Sequence, residues 1–330
     1  MGKFNAKNLK HIAVLTSGGD APGMNAAIRA VVRVGIFNKL KVSAVLHGFQ
    51  GLIQKEYLPL ELSSVANTIQ RGGTIIKTGR CKDFYSPSGR SKAAKNFKAA
   101  GFDGLVAIGG DGTFTGAHFL YEEHGIPIVG VPGTIDNDVF GTDRTIGFDT
   151  AVNTAMEALD KVRDTAASHD RLFLVEVMGR NSGHIALEVG LSAGAEEVFI
   201  PEHKVSIKHV CEVIARGVRR GKKSSILICA EGDTPGRSYD IAKEIKRVGG
   251  YDAKVCILGH IQRGGSPTAY DRNLASRLGA AAVNFLQKGQ CDIMAGEMNL
   301  QIVAVSLKDA FSKKKSIRED WINLEKTLSI

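Results

Sequence analysis

The sequence has a single tryptophan, and its aromatic share is only 6%. No basic stripe interleaved with aromatics appears, which argues against a nucleic-acid binder. No apolar run approaches the ~20 residues of a membrane-spanning helix, which leaves no membrane role. The basic start, MGKFNAKNLK, is followed by no apolar stretch of signal length, and Ala6 stands where a myristoylation signal wants Ser or Thr. The five cysteines (Cys81, Cys211, Cys229, Cys256 and Cys291) are odd in number, and no pair has metal-ligand or redox spacing. That pattern excludes a disulfide framework and predicts a cytoplasmic location. Tandem repeats and low-complexity linkers are also missing.

What is present is a chain of 330 residues, too long for one small core and suited to two domains. Its charged share of 23% is that of an ordinary globular enzyme. The net charge of +9 favours anionic partners, and with only short runs such as Lys222-Lys223 and Lys313-Lys314-Lys315, small phosphorylated molecules fit better than nucleic acid. The 38 glycines fall in clusters rather than evenly, which marks particular loops.

Short apolar runs alternate with helical periodicity. Strands are predicted over 11–16, 41–47, 104–108 and 127–131, and helices over 24–37 and 113–123. After Gly147 the pattern restarts, with strands over 171–178, 225–230 and 254–258 and helices over 148–165, 182–191, 208–219, 240–248 and 270–286. Such alternation predicts an α/β fold with mostly parallel sheets covered on both faces, in two units between which the chain crosses more than once.

Four loops carry the chemistry, each where a strand gives way to a helix, the edge at which open α/β sheets bind ligands. TSGGDAPGMNAAIRAVVR (16–33) has Gly18, Gly19 and Gly23, which let main-chain N–H groups and a helix N-terminus approach a phosphate. The spacing is neither the dinucleotide fingerprint nor the Walker loop, and a plain strand–helix turn is the bland alternative. IGGDGT (108–113) pairs glycines with one carboxylate, Asp111. A carboxylate beside phosphate calls for a bridging magnesium ion, unless Asp111 merely caps the next helix. VPGTIDNDVFGTDRTIGFDTA (131–151) crowds Asp136, Asp138 and Asp143 with Thr134 and Asn137 after a buried strand. One carboxylate there can take a proton from an attacking hydroxyl, whereas Asp143 is assigned a turn role. LGHIQRGGSPTAYDR (258–272) offers His260 and Arg263 to an anion, against the alternative of a surface ion pair.

All four loops in this order, with EVMGRNSGHIAL (176–187) and ICAEGD (228–233), closely resemble ATP-dependent 6-phosphofructokinases of the bacterial type, from about residue 11 to residue 286. The resemblance implies the phosphofructokinase fold, two three-layer α/β/α Rossmann-like domains: a nucleotide-binding domain of residues 1–146 plus 262–314 and a sugar-phosphate domain of 147–261 plus 315–330. It implies phosphorylation of fructose 6-phosphate at its 1-hydroxyl by ATP with Mg2+, the committed step of glycolysis, in a homotetramer that shares sugar-site residues between subunits. Position by position, Gly19, Arg80, Cys81, Gly110, Asp111, Gly112 and Thr113 would hold the nucleotide, with Asp111 nearest the metal. Asp136 would be the base, supported by Thr134 and Asp138, while Arg80 would neutralise the transferring phosphoryl group and Arg180 would bridge it and the substrate. Thr134, Ile135, Asp136, Asp138, Arg171, Met178, Gly179, Arg180, Glu231, Lys254, His260, Ile261, Gln262 and Arg263 would bind the sugar phosphate.

Relatives that use pyrophosphate tend to carry an acidic residue at the position of Gly112 and a lysine at that of Gly133, so both glycines imply ATP. An effector site for ADP or GDP and phosphoenolpyruvate is implied at Arg29, Arg33, Arg163, Gly194, Ala195, Glu196, Arg220 and Lys222. Two departures stand out: Leu62 replaces an arginine of that site, and Lys254 replaces an arginine that reaches the sugar phosphate without keeping the bidentate fork. Altered effector control is therefore expected. The competing readings are a pyrophosphate-dependent relative, another GGDG-type kinase, and a non-catalytic sugar-phosphate sensor.

Overall fold

The computed structural model describes residues 2–167 and 171–329. The chain divides into two compact units. The first comprises the described residues of 1–134, 139–149 and 264–315; the second comprises those of 135–138, 150–263 and 316–330. The sequence expectation gave residues 135–138 to the nucleotide side, and here they pack with the second unit.

In the first unit, seven strands are ordered Gln301–Ser306, Ile293–Met298, Ile128–Pro132, Gly104–Gly109, His11–Thr16, Lys41–Val45, Tyr57–Leu60. The five inner strands run parallel, and an antiparallel strand closes each edge. GLVAIG and IVGVP are buried along their whole length, as strands covered on both faces must be. Alternate side chains serve different layers. Ala13, Leu15, Leu105 and Ala107 join a core with Phe49, Phe97 and Phe114, in which Phe49 stacks on Phe84 at 4.0 Å. The helices Met24–Phe37 and Ala269–Gln287 lie against each other, and a Cβ at Gly279 would strike the Ala27 carbonyl at 2.6 Å, so only glycine permits this approach. From His11–Thr16 the chain steps to Lys41–Val45 on one side and later returns to Gly104–Gly109 on the other. The pair His11–Thr16 and Gly104–Gly109 is thus the switch point at which α/β sheets bind ligands.

The second unit has four parallel strands in the order Ala253–Ile257, Leu172–Val177, Ser225–Ala230, Glu197–Phe199. Its core gathers Leu174, Phe199, Val210, Ile214, Leu227 and Ile245. The helix Ile207–Arg219 starts where the Ser206 hydroxyl accepts from the His209 N–H at 3.2 Å. The helix Glu319–Leu328 returns to pack on His184–Ala193. Both units bear out the α/β expectation, and each predicted element is found within a few residues of its expected bounds.

Candidate active site

In the first unit, the loops after His11–Thr16 and Gly104–Gly109 interlock. The Ser17 N–H donates to the Ile108 carbonyl at 3.0 Å, and the Thr113 hydroxyl donates to the Ser17 carbonyl at 3.1 Å. A Cβ at Gly109 would lie 2.3 Å from Thr113 Oγ1 and 2.5 Å from the Ser17 carbonyl, so the packing of the two loops demands glycine there. Gly112 differs: a Cβ there meets nothing within 4 Å. The fold does not require glycine at 112, and the open space beside the helix N-terminus suits a ligand. Gly133 is constrained, since its Cβ would come 3.0 Å from Ile108 and 3.2 Å from Met24.

The helix Asp111–His124 begins with Gly110 as its cap residue, so Asp111 is the first helical residue and not the cap. Its carboxylate stands at the positive end of the helix dipole. Among the described residues no three His, Cys, Asp or Glu side chains form a metal cage. One hard carboxylate fits magnesium, which keeps several waters and is commonly bound through one or two carboxylates plus substrate phosphates. Thr134 reaches toward Gly110, its Cβ lying 3.5 Å from where a Cβ there would be, and the Thr145 hydroxyl donates to the Thr134 carbonyl at 2.6 Å. Arg80 is exposed. Cys81 is buried in the apolar core with its thiol donating to Gln50 Oε1 at 2.9 Å, and burial raises its pKa. Its side chain therefore serves packing, leaving the main chain for any nucleotide contact. Asp143 takes a structural part: its carboxylate accepts from the Asn299 N–H at 2.6 Å, tying down the Ile293–Ser306 hairpin.

In the second unit, the carboxyl ends of three strands converge. Asp136, only 4% exposed, has Oδ2 4.0 Å from Arg180 Nε, and its carbonyl accepts from the Ser182 hydroxyl at 3.0 Å. The Arg180 N–H donates to Glu231 Oε1 at 3.2 Å. Burial raises the Glu231 pKa; the bond from Arg180 opposes the shift, Asp136 reinforces it and Arg263 counteracts it. That balance ties Asp136, Arg180, Glu231 and Arg263 into one electrostatic neighbourhood. Arg180 (φ 50°) and Asn137 (φ 52°) occupy left-handed backbone, an unfavourable conformation for a side-chain-bearing residue that is held by its surroundings at functional sites. Asp138 is half-buried, His260 and Ile261 are exposed, Arg263 is half-buried, and Met178 and Ile135 are buried. Gly179 has a φ of 138°.

Arg171 and Lys254 are not brought to this group. Arg171 immediately precedes the strand Leu172–Val177, and Lys254 pairs with Phe173 in register near the same end, where its ammonium contacts Asp252 at 2.6 Å. At ~3.3 Å per residue, that edge is about 20 Å from Met178 and Arg180.

Of the effector positions, Arg163 donates to the Ala193 carbonyl beside Gly194 and Ala195, while Glu196 pairs with Lys222 and accepts from the Ile226 N–H. Arg220 is exposed at a helix end. Arg29 and Arg33 lie on the Met24–Phe37 helix of the first unit, and Leu62 is half exposed at the start of a short 3-10 turn.

Several supporting residues had no role in the sequence reading. Ser182 and Thr145 lie inside motifs that were read for their neighbours. Glu176 is buried within a strand and accepts from the Gly236 N–H, the Ser238 N–H and the Ser238 hydroxyl. Asp271 is buried and accepts from the Gly147 N–H at 2.9 Å. A charged residue amid an apolar strand or helix face was the only available signal.

The phosphofructokinase family profile matches residues 11–286. A Thermus thermophilus protein named ATP-dependent 6-phosphofructokinase 1 is 55% identical over 98% of this chain and 100% of its own length. A Natranaerobius thermophilus protein named ATP-dependent 6-phosphofructokinase is 52% identical over 98% and 100%. Among solved structures, phosphofructokinase from Saccharomyces cerevisiae superposes with a TM-score of 0.88 at 37% identity, covering 97% of this chain; the chain spans about half (48%) of that longer one.

Proposed function

The chain belongs to the phosphofructokinase family, and from that premise we propose that it transfers the γ-phosphoryl group of ATP to the 1-hydroxyl of fructose 6-phosphate, yielding fructose 1,6-bisphosphate and ADP. The observation that carries this reading is the buried carboxylate of Asp136 set 4.0 Å from the Arg180 guanidinium, with Glu231 and Arg263 in electrostatic contact. A base and cations in one place are what phosphoryl transfer to an alcohol asks of a protein.

Asp136 accepts the proton of the sugar hydroxyl as its oxygen forms a bond to Pγ. The bond from Pγ to the bridging oxygen breaks, and ADP leaves with that electron pair. Arg180, with Arg80, neutralises charge that spreads over the equatorial oxygens. Thr134 precedes the base loop and lies beside Gly110, and the N–H groups near Gly19, Gly110 and Thr113 receive the nucleotide phosphates. Asp111 would hold a magnesium ion, which supplies positive charge to those phosphates. Glu231 and the 178–180 segment line the sugar, and His260 and Arg263 grip its 6-phosphate. The open space at Gly112 favours ATP over pyrophosphate, as do the close relatives named for ATP.

The far placement of Arg171 and Lys254 supports a homotetramer in which they serve a neighbour's sugar phosphate. Arg163, Glu196 and Lys222 support an anion effector site, weakened by Leu62; steep cooperative inhibition by phosphoenolpyruvate would contradict that weakening. A cytoplasmic location follows from the glycolytic role, and among the described residues no helix is long and apolar enough to cross a membrane. The deciding experiment is a coupled assay with fructose 6-phosphate, comparing ATP with pyrophosphate. Turnover with ATP and none with pyrophosphate is expected, and the reverse overturns the donor assignment.

A further inference from the structure

The side chain of Gln262 sits in the sequence stretch that carries His260 and Arg263, yet it is 0% exposed. Both ends of its carboxamide are engaged. Oε1 accepts from the Met178 N–H at 2.8 Å, and Nε2 donates to the Ala151 carbonyl at 3.3 Å. One side chain thus joins three pieces of the second unit: its own 259–263 turn, the helix Phe148–Ala167, and the segment entering Gly179 and Arg180. That last segment is pinned again two residues on, where the Arg180 N–H meets Glu231, and at Ser182, whose hydroxyl meets the Asp136 carbonyl.

We infer that Gln262 is a positioning residue for sugar-phosphate binding: it fixes the separation of Arg180 from Arg263 and touches no substrate itself. This rests on the reading of that site as the fructose 6-phosphate site. A carboxamide is suited to the task because it accepts and donates from one neutral group. A carboxylate accepts only, and a leucine does neither. Without its acceptor, the buried Met178 N–H is left unsatisfied, and the segment is free to relax away from the geometry that a bound sugar phosphate needs.

The test is steady-state kinetics and thermal midpoint of the full-length chain and two variants, Gln262→Leu and Gln262→Glu. Gln262→Leu is expected to raise the KM for fructose 6-phosphate about tenfold or more, with the KM for ATP within about twofold of its original value. In Gln262→Glu the Met178 bond survives, and the bond to Ala151 returns when the buried carboxyl is protonated. Its sugar-phosphate KM defect should therefore shrink as pH falls, relative to the unaltered chain. An unchanged sugar-phosphate KM in Gln262→Leu overturns the inference. So does an equal rise for both substrates, or a lowered midpoint with both KM values intact, since either is what a merely structural role gives. If Gln262→Leu does not fold, a pH-independent defect in Gln262→Glu overturns it alone. An unaltered chain that neither binds nor phosphorylates fructose 6-phosphate overturns the parent reading instead.

Discussion

The strand-end loops of the first unit are built from glycine and main chain, whereas those of the second present charged side chains. At Ser17, Gly109 and Thr113 the ties run between carbonyls, N–H groups and a hydroxyl, and bulk is excluded at contact distance. At Asp136, Arg180 and Glu231 the ties run to buried carboxylates: the Arg180 N–H meets Glu231, and its half-exposed guanidinium faces Asp136 from a residue in left-handed backbone. The difference matches the ligands proposed. A nucleotide polyphosphate is received by many weak, preoriented N–H dipoles, while a proton removed from an alcohol and the charge that develops need discrete groups at fixed points. Damage to the first kind of site should therefore appear through shape, and damage to the second through charge.

The sharpest break in that comparison is Asp136→Asn, which keeps shape and removes the proposed base. A loss of about 3–6 kcal/mol of transition-state stabilisation is expected in kcat, with the KM for both substrates changed little. Near-normal turnover would remove Asp136 from the mechanism. The corresponding shape experiment is Gly109→Ala beside Gly112→Ala. At 109 the new methyl meets the Ser17 carbonyl and Thr113 at 2.5 Å and 2.3 Å, and because one of these is main chain, the loop must move. About 3 kcal/mol of destabilisation is expected, seen in urea unfolding, together with weaker ATP binding. At 112 the methyl meets nothing, so stability should change by less than about 1 kcal/mol. Equal stability losses at both positions would refute the distinction between packing glycine and ligand-space glycine.

Sequence reading went furthest where local chemistry and global fold agree. HIAVLT, GLVAIG and SILICA are buried parallel strands whose apolar character gives them away, and the glycine-bearing turns after two of them mark where ligands are proposed to enter. It missed elements whose signal is tertiary. The strand Tyr57–Leu60 is short, contains Pro59 and lies at a sheet edge. The hairpin Ile293–Ser306 completes the first unit's sheet from the far end of the chain. The helix Pro87–Ala99 was marked by Ser86 as cap and Pro87 at its first turn, but its polar face hid the periodicity. In the site, residue types and order were legible, while the inward turn of Gln262 and Cys81 was not. Burial of one side chain within a polar motif depends on what the rest of the fold places above it.

A smaller effect probes whether the reliance on buried charge extends beyond the site. In the second unit, Glu197 and Glu325 are both buried, and Oε1 of Glu325 has no hydrogen-bond partner among the described residues. Burial, reinforced by Glu197 and opposed by Lys326, pushes the Glu325 pKa from 4.5 to about 7. Burial also raises the pKa of Glu197, against the pull of the Val198 N–H, His209 and Lys326. With a folded pKa above the unfolded one, the native state holds the extra proton between pH 4.5 and about 7. Stability therefore falls as pH rises through that window; the full shift corresponds to about 3.4 kcal/mol, which residual solvent screening reduces to about 2 kcal/mol. Glu325→Gln should flatten the fall, giving a variant more stable than the original above pH 7 and less favoured near pH 5. The only tryptophan of the chain, Trp321, lies on the same helix and should report the change in its fluorescence during urea titrations at each pH. An unaltered pH slope in the variant would show that Glu325 does not titrate differently in its folded and unfolded states in that window, and that its burial carries no charge penalty for the fold.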